Sequence, residues 1–162
     1  MKPTIRKAEE NEFLKVHRFV SRCKPLENYG EHFYKIMLRY CGDTCFVAEY
    51  DKTIVGFVMG FLSQVHDKTY FMWQIGVDPS LRGKDIGIML LREAEKEIRT
   101  RGCERIELTV AAENTVSQRL FEKMGYTNIS DNVGETVDVN RVMAVKDYYR
   151  PGGHFIVYEK NL

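Results

Sequence analysis

The residues with the clearest chemical potential lie in one short turn, Arg82-Gly83-Lys84-Asp85-Ile86-Gly87. The turn precedes a run with apolar residues at every fourth position, Ile86, Leu90, Ala94 and Ile98, which predicts an amphipathic helix. A helix N-terminus presents N–H groups without intrahelical partners and the positive end of the dipole. The turn therefore predicts an anion site, and its spacing is neither that of a P-loop nor that of a dinucleotide fingerprint. The alternative is an ordinary strand-to-helix connection with solvated basic residues.

A predicted strand, residues 69–77, positions this turn. It is dense in aromatic and β-branched residues, which suit a buried, pleated strand, and Asp78-Pro79 ends it because proline lacks the donor that a ladder needs. Gly76 lies near its end, where a glycine fits a close approach of another backbone.

The turn resembles the R/Q-x-x-G-x-G/A signature of the GNAT superfamily of acyl-CoA-dependent N-acyltransferases. Residues 114–126 are similar to a second motif of that family, N-x-x-[AS]-x-x-L-[YF]-x-K-x-G-[FY]. The resemblance implies one GNAT domain over residues 1–162, with an α/β fold. Such a fold has a mixed, mostly antiparallel sheet, helices on both faces, and splayed fourth and fifth strands, here residues 69–77 and 105–110.

The same resemblance implies acetyl-CoA as co-substrate and no metal. In the family, strand backbone pairs with pantetheine and the turn's amides hold the pyrophosphate. The residues expected to bind the cofactor are Ile75, Gly76, Val77, Arg82, Gly83, Lys84, Asp85, Ile86, Gly87, Ile88, Asn114, Ser117, Phe121 and Lys123.

Two positions depart from the family pattern. Asp85 stands where the signature has glycine. Aspartate is a good N-cap, and either its carboxylate points away and only its N–H contributes, or its charge weakens cofactor binding. Phe121 stands where many members carry a tyrosine that protonates the leaving thiolate. A thiolate with a pKa near ~8.5 can leave unassisted, so turnover remains compatible with phenylalanine.

The acceptor chemistry requires a neutral amine. An alkylammonium with a pKa near ~10.4 is almost fully protonated at pH 7, so a general base helps. The fourth strand offers Trp73 and Gln74 but no carboxylate, whereas Glu107 lies on the neighbouring strand. Glu107 is therefore the predicted catalytic base, and a solvated glutamate on a strand face is the alternative.

Several stretches, including residues 43–49, 54–58 and 71–74, are similar to the L-2,4-diaminobutyrate acetyltransferase branch of the superfamily. This likeness implies that the acceptor pocket is lined by Glu27, Trp73, Glu107 and His154. Glu27 stands where that branch tends to carry aspartate. The predicted function is acetyl transfer from acetyl-CoA to a small amino-acid or diamine acceptor such as 2,4-diaminobutyrate.

Two other functions stay open. Tyr148 and Tyr149, before the glycine of Pro151-Gly152, resemble the tyrosine pair of GNAT enzymes that acetylate protein N-termini or lysines, which makes Tyr149 a candidate substrate-binding residue. An α-amino group, with a pKa near ~8, needs less help from a base. A non-enzymatic acyl-CoA-binding module is the other alternative, which Asp85 and Phe121 make plausible.

Composition sets the remaining expectations. The chain has 162 residues, 24 basic and 23 acidic side chains, and no strongly basic face for nucleic acid. Its four cysteines lack metal or disulfide spacing, and no apolar run is long enough to cross a bilayer. A cytoplasmic domain with a small-molecule amine as partner is expected, without nucleic acid or membrane, and a homodimer stays open.

Overall fold

The computed structural model describes residues 2–162, which form two compact units. The first unit runs as far as Leu62 and includes Met72–Gly102. The second consists of Ser63–Phe71 and Cys103–Leu162. The single domain over residues 1–162 stays a prediction.

The helices and strands are as follows. Within residues 2–162 the four α-helices are α1 (Phe13–Ser21), α2 (Glu31–Cys41), α3 (Ile86–Thr100) and α4 (Thr115–Lys123). The strands are β1 (Thr4–Lys7), β2 (Phe46–Tyr50), β3 (Thr53–Leu62), β4 (Thr69–Val77), β5 (Arg105–Ala111), β6 (Thr127–Asn128), β7 (Thr136–Val139), β8 (Val142–Arg150) and β9 (Gly153–Asn161). In the described residues no helix is long and apolar enough to cross a membrane.

In the first unit, β1, β2 and β3 form antiparallel pairs. The sequence predicts two strands, residues 45–50 and 53–64, joined by a hairpin turn at Asp51-Lys52. The turn is confirmed, and both residues adopt positive φ angles of 49° and 60°. Helices α1 and α2 pack on one another over a core that includes Val16, Phe19 and Tyr34.

Helix α3 packs closely on β3 because Gly56 has no side chain. A glycine within this strand predicts either a bulge or a close approach of another element. A Cβ at position 56 would lie 2.9 Å from Leu90 Cδ1, so the close approach is present. The pairing of β2 with β3 also shifts register beside this glycine. The predicted apolar stripe of α3 is buried at Ile86, Leu90, Ala94 and Ile98.

In the second unit, β5 pairs antiparallel with β9, followed by β8 and β7, and β6 joins β9. The predicted alternation in β5 is confirmed, since Ile106, Leu108 and Val110 are buried while Glu107 and Thr109 are half-buried. The backbone N–H groups of Glu104 and Arg105 both donate to the carbonyl of Lys68, which fixes the start of β5 beside the residue that precedes β4.

Three predicted elements were wrong in detail. The helix predicted over residues 8–22 begins only at Phe13, because a 3₁₀ turn with a capping box between Glu9 and Glu12 precedes it. The strand predicted over residues 126–130 is limited to Thr127–Asn128, since a 3₁₀ turn starts at Ser130.

The third error concerns the inward face of α2. The apolar spacing predicts Phe33, Ile36, Met37 and Tyr40 on the buried side, but Ile36 and Tyr40 are exposed. The buried residues are Tyr34, Met37 and Leu38. Tyr34 lies inward because its hydroxyl donates to the buried Gln74 side chain, a partner that periodicity does not reveal.

Candidate active site

The turn between β4 and α3 consists of a 3₁₀ turn followed by two residues with positive φ angles, Gly83 and Asp85. The Asp78 carboxylate accepts from the Ser80 N–H at 2.9 Å and closes a 3₁₀ turn over Pro79–Leu81. Gly83 then adopts φ +79°, and nothing within 4 Å faces the position a Cβ would take. This leaves the approach to the first turn of α3 open on the side of Gly83.

Asp85 corrects one expectation. It occupies the N-cap position of α3 with φ +59°, and its side chain accepts no capping hydrogen bond. The carboxylate therefore does not cap the helix, although aspartate is a good N-cap residue. The left-handed conformation explains why glycine suits this position, since only glycine adopts it at little cost and aspartate tolerates it better than most.

The two cations of the turn differ in their contacts. Arg82 Nη2 donates to the carbonyl of Lys24 at 2.8 Å, whereas Lys84 is exposed. No acidic residue lies in the first helical turn of α3, at Ile86, Gly87 and Ile88. Apart from the Asp85 carboxylate at the N-cap, positive charge and helix-end N–H groups therefore coincide here, and they suit a pyrophosphate group.

Residues 22–30, the α1–α2 connection, are attached along β4. Cys23 Sγ lies 3.8 Å from the Val77 carbonyl, and Gln74 Nε2 donates to the Glu27 carbonyl at 2.6 Å. Trp73 Nε1 donates to the Tyr29 hydroxyl at 3.1 Å. Glu27 and Trp73, which the sequence predicts in one pocket, are thus brought together within the first unit.

Gly76 packs closely against the α1–α2 connection on its side-chain face. A Cβ at this position would lie 2.7 Å from Leu26 Cδ1, so the glycine accommodates the α1–α2 connection. The sequence predicts a close approach of another backbone at Gly76, whereas the group that approaches it in the structure is the Leu26 side chain. Pantetheine pairing along Ile75, Gly76 and Val77 stays a prediction.

Sequence reasoning missed a buried polar pair below this connection. Tyr34 is fully buried and its hydroxyl donates to Gln74 Oε1 at 3.2 Å. Burial raises the pKa of Tyr34 to about 12, so the phenol remains a donor. Gln74 is also buried, and its Nε2 donates to the Glu27 carbonyl, so this amide holds the backbone at Glu27 in place. A glutamine within an aromatic strand was the available signal, because a buried amide requires partners.

Glu107, the predicted base, forms an ion pair in the second unit. Arg105 Nη2 donates to Glu107 Oε2, while Arg105 Nε donates to Glu159 Oε2 at 2.6 Å. Glu107 and Glu159 lie opposite one another in the register of β5 and β9. One guanidinium therefore holds two carboxylates on the half-buried face of this strand pair.

Tyr149 and His154 are also placed in the second unit. The Tyr149 hydroxyl lies 2.9 Å from Thr109 Oγ1, on the strand face that carries Glu107. Desolvation at the Tyr149 hydroxyl raises its pKa above the ordinary value, with a smaller contribution from Glu107, although the residue as a whole is exposed. The Asp147 N–H donates to His154 Nδ1 at 3.1 Å. Since Nδ1 accepts, the neutral ring carries its proton on Nε2.

The second predicted motif forms helix α4. Asn114 caps it by accepting from the Ser117 N–H at 3.2 Å, and Lys123 lies in the last turn. Phe121 is buried against Tyr126 and Tyr158, with the nearer ring centroid at 5.3 Å. The cofactor roles of Asn114, Ser117, Phe121 and Lys123 stay predictions. In the described residues no three His, Cys, Asp or Glu side chains form a metal-binding group.

Comparison with known proteins identifies relatives that are named for the same enzymatic activity. An L-2,4-diaminobutyric acid acetyltransferase of Halalkalibacterium halodurans is 37% identical over 61% of this chain and 52% of its own length. That of Shouchella clausii is 35% identical over 69% of this chain and 63% of its own. The matches thus span only about half to two thirds of these relatives.

A solved structure extends the comparison to the whole fold. The diaminobutyrate acetyltransferase of Paenibacillus lautus, in complex with its substrate L-2,4-diaminobutyric acid and coenzyme A, superimposes with a TM-score of 0.80 at 23% identity. The match covers 99% of this chain and 95% of that one. It confirms the predicted α/β GNAT fold. Residues 13–126 match the family model described as the acetyltransferase (GNAT) family. The chain therefore belongs to the GNAT acetyltransferase family.

Proposed function

We propose that this protein transfers an acetyl group from acetyl-CoA to a primary amine of a small diamino acid such as L-2,4-diaminobutyrate. The observation that carries this proposal is the identity of 37% and 35% to two acetyltransferases named for that substrate. The hydrogen-bonded assembly of Glu27 and Trp73 in the first unit supports it, because a carboxylate beside aromatic rings suits a cationic acceptor.

Acetyl-CoA supplies an activated acetyl thioester. The residues that fit its pyrophosphate are the first-turn amides of α3 with Arg82 and Lys84 beside them. For Arg82 to reach a phosphate, its contact with the Lys24 carbonyl must be shared or exchanged. The adjoining backbone at residues 75–77 is the proposed pantetheine strand, where an N–H would stabilise the developing oxyanion.

Glu107 is the proposed general base. Its carboxylate is held by Arg105, so accepting a proton from the acceptor requires that this contact loosen or use only one carboxylate oxygen. Phe121 cannot protonate the departing thiolate, which in this proposal leaves as the anion. Solvent can then supply the proton.

The test measures coenzyme A release with acetyl-CoA and L-2,4-diaminobutyrate. Glu107→Gln is expected to lower kcat/KM by ~10²-fold or more, the usual scale for loss of a general base. Glu159→Gln is the matched control, because it removes the other carboxylate held by Arg105, and it should stay within about threefold of wild type. Equal losses in both variants would contradict a specific role for Glu107.

Two of the four protein thiols, Cys23 and Cys45, should contribute little background to such an assay. Burial raises the pKa of Cys23 to about 11 and that of Cys45 to about 12. Since the thiolate is the reactive form, both residues are expected to react slowly in the folded protein.

Acetylation of a peptide amine is the second candidate. It rests on the edge-to-face pair of Tyr148 and Tyr149, whose ring centroids are 4.6 Å apart, together with the exposure of Tyr149. Coenzyme A release with short peptides but not with diaminobutyrate, together with loss of that release in Tyr149→Phe, would favour it. Binding of acetyl-CoA without release for any amine would favour the non-enzymatic module.

A further inference from the structure

Two carboxylates face one another across neighbouring strands of the second unit. Glu107 on β5 and Glu159 on β9 are opposite in the antiparallel register, so their side chains share one face of the sheet. These side chains keep only 19% and 27% of their surface exposed. Like charges in such a position repel one another, and partial burial strengthens the repulsion because solvent screens it less. A cation between them therefore favours the ionised form of both.

Arg105 supplies that cation and contacts the two carboxylates with different nitrogens. Its Nη2 donates to Glu107 Oε2, and its Nε donates to Glu159 Oε2 at 2.6 Å. The planar guanidinium fixes the angle between these donors, which a lysine ammonium does not. In the described residues no donor contacts the other Glu107 oxygen, Oε1. Arg105 thus holds one oxygen of Glu107 and leaves the second oxygen available to an acceptor amine.

The other titratable groups that face Glu107 in the second unit are two tyrosines of β8. Desolvation is the main cause that raises the pKa of Tyr148 and that of Tyr149, and the charge of Glu107 adds to both shifts. Both phenols therefore stay neutral at pH 7. In the described part of the second unit, the charged groups that act on Glu107 at this pH are thus Arg105 and Glu159, with opposite effects.

We propose that Arg105 is a positioning residue for acetyl transfer, which orients the Glu107 carboxylate and keeps it deprotonated against the charge of Glu159. The inference rests on the proposed function, in which Glu107 is the general base. A base must be ionised before it can take a proton from the acceptor ammonium. The Arg105 charge favours that form, whereas the Glu159 charge favours the protonated form. The balance between them therefore sets the acid limb of the reaction, the fall in kcat/KM toward low pH.

Arg105→Gln tests the charge. Removing the cation leaves two carboxylates facing one another, so the acid limb measured with L-2,4-diaminobutyrate should move to higher pH by about one unit or more. Glu159→Gln removes the repulsion, so it should fold, and it should move the acid limb to lower pH. The double variant should return the acid limb to within about half a unit of wild type, because attraction and repulsion are then both absent.

Arg105→Lys separates orientation from charge. It keeps the positive charge but not the fixed pair of donors, so the acid limb should stay in place while the rate falls. The plateau of kcat should fall about tenfold, the scale of one hydrogen bond to a charged group, with the KM for acetyl-CoA nearly unchanged. Lys68→Gln is the matched control, since it removes the exposed cation paired with Glu104 just before β5, and it should keep the wild-type profile.

A titration without turnover measures the same property directly. Nuclear magnetic resonance of protein with isotopically labelled glutamate follows the Glu107 carboxyl carbon, which is assigned by the signal missing in Glu107→Gln. Its titration curve should move to higher pH in Arg105→Gln, move to lower pH in Glu159→Gln, and return in the double variant.

Two results would overturn the proposal. One is a Glu107 titration that is unmoved in both Arg105→Gln and Glu159→Gln. The other is a shift in Arg105→Gln that persists in the double variant, because it would not arise from Glu159. The coenzyme A release assay separates this proposal from the proposed function. A Glu107 titration that moves as expected, without release for any amine, supports the control of Glu107 by Arg105 and contradicts acetyl transfer. Release with an unmoved acid limb in Arg105→Gln contradicts the role of Arg105 alone.

Discussion

At the scale of single residues, one ion cluster fixes the start of the first unit. The Arg6 guanidinium donates to both carboxylate oxygens of Glu12, at 2.7 and 2.9 Å, and to Glu49 at 2.5 Å. Glu12 is nearly buried and also accepts from the Glu9 N–H at 2.9 Å. The hydrogen bond from Arg6 is the main cause that lowers the pKa of Glu12 below its ordinary value of 4.5.

This cluster predicts how stability depends on pH. Because the folded pKa of Glu12 is lowered, its contribution is complete above about pH 4.5 and is lost as the pH falls toward the folded value. Glu12→Gln should reduce the free energy of unfolding at pH 7 by about 1–3 kcal/mol, and the loss should shrink below pH 4.5. Urea unfolding at several pH values tests this. Glu113→Gln, at an exposed residue, is the control, and a pH-independent difference between Glu12→Gln and wild type would contradict the prediction.

At the scale of elements, the start of α3 combines a functional requirement with backbone strain. Asp85 has φ +59° and no capping contact, so glycine at this position would remove a conformational cost of about 1 kcal/mol. The greater freedom of glycine in the unfolded chain offsets about 0.4–1 kcal/mol of that gain. Asp85→Gly should therefore change stability by no more than about 0.5 kcal/mol. The effect of this substitution on the free energy of coenzyme A binding should be larger.

Removing this carboxylate from the proposed pyrophosphate site should tighten coenzyme A binding by about 1 kcal/mol or more. Asp51→Gly is a matched control, since Asp51 also has a left-handed conformation, with φ 49°, but lies in the β2–β3 hairpin. Calorimetric titration should show tighter coenzyme A binding in the first variant and unchanged binding in the second. Weaker binding by Asp85→Gly would show that the aspartate contributes to the site.

At the scale of the whole molecule, ligand binding and folding are linked by mass action. Acetyl-CoA at a hundred times its dissociation constant should stabilise the folded chain by about 2.7 kcal/mol and raise the melting temperature by roughly 5–10 °C. Gly87→Glu should abolish this shift by adding bulk and negative charge at the first turn of α3. The variant should still fold, because glutamate is favourable near a helix N-terminus. Thr100→Glu, at the opposite end of the same helix, should keep the full shift. An unchanged melting temperature of wild type in saturating acetyl-CoA would contradict the cofactor assignment.

The sequence alone was sufficient for features that depend on local chemistry. The four-residue apolar spacing of α3, the alternation of β5, the Asp51-Lys52 turn and the cap of α4 by Asn114 are all present in the structure. Each depends on residues close together in the chain, where periodicity, turn propensity and capping act directly. The family also followed from two such local motifs.

Only the tertiary structure decided features that depend on distant partners. The buried Tyr34 hydroxyl donates to the side-chain amide of Gln74, and Gly76 leaves room for the Leu26 side chain. Arg105 pairs with both Glu107 and Glu159. Tyr29 has no motif of its own, yet its hydroxyl accepts from Trp73, 44 positions away in the sequence, and contacts the Glu27 carboxylate. Sequence patterns show which faces are apolar, but a polar side chain satisfies its hydrogen bonds with whichever group the fold brings within about 3 Å.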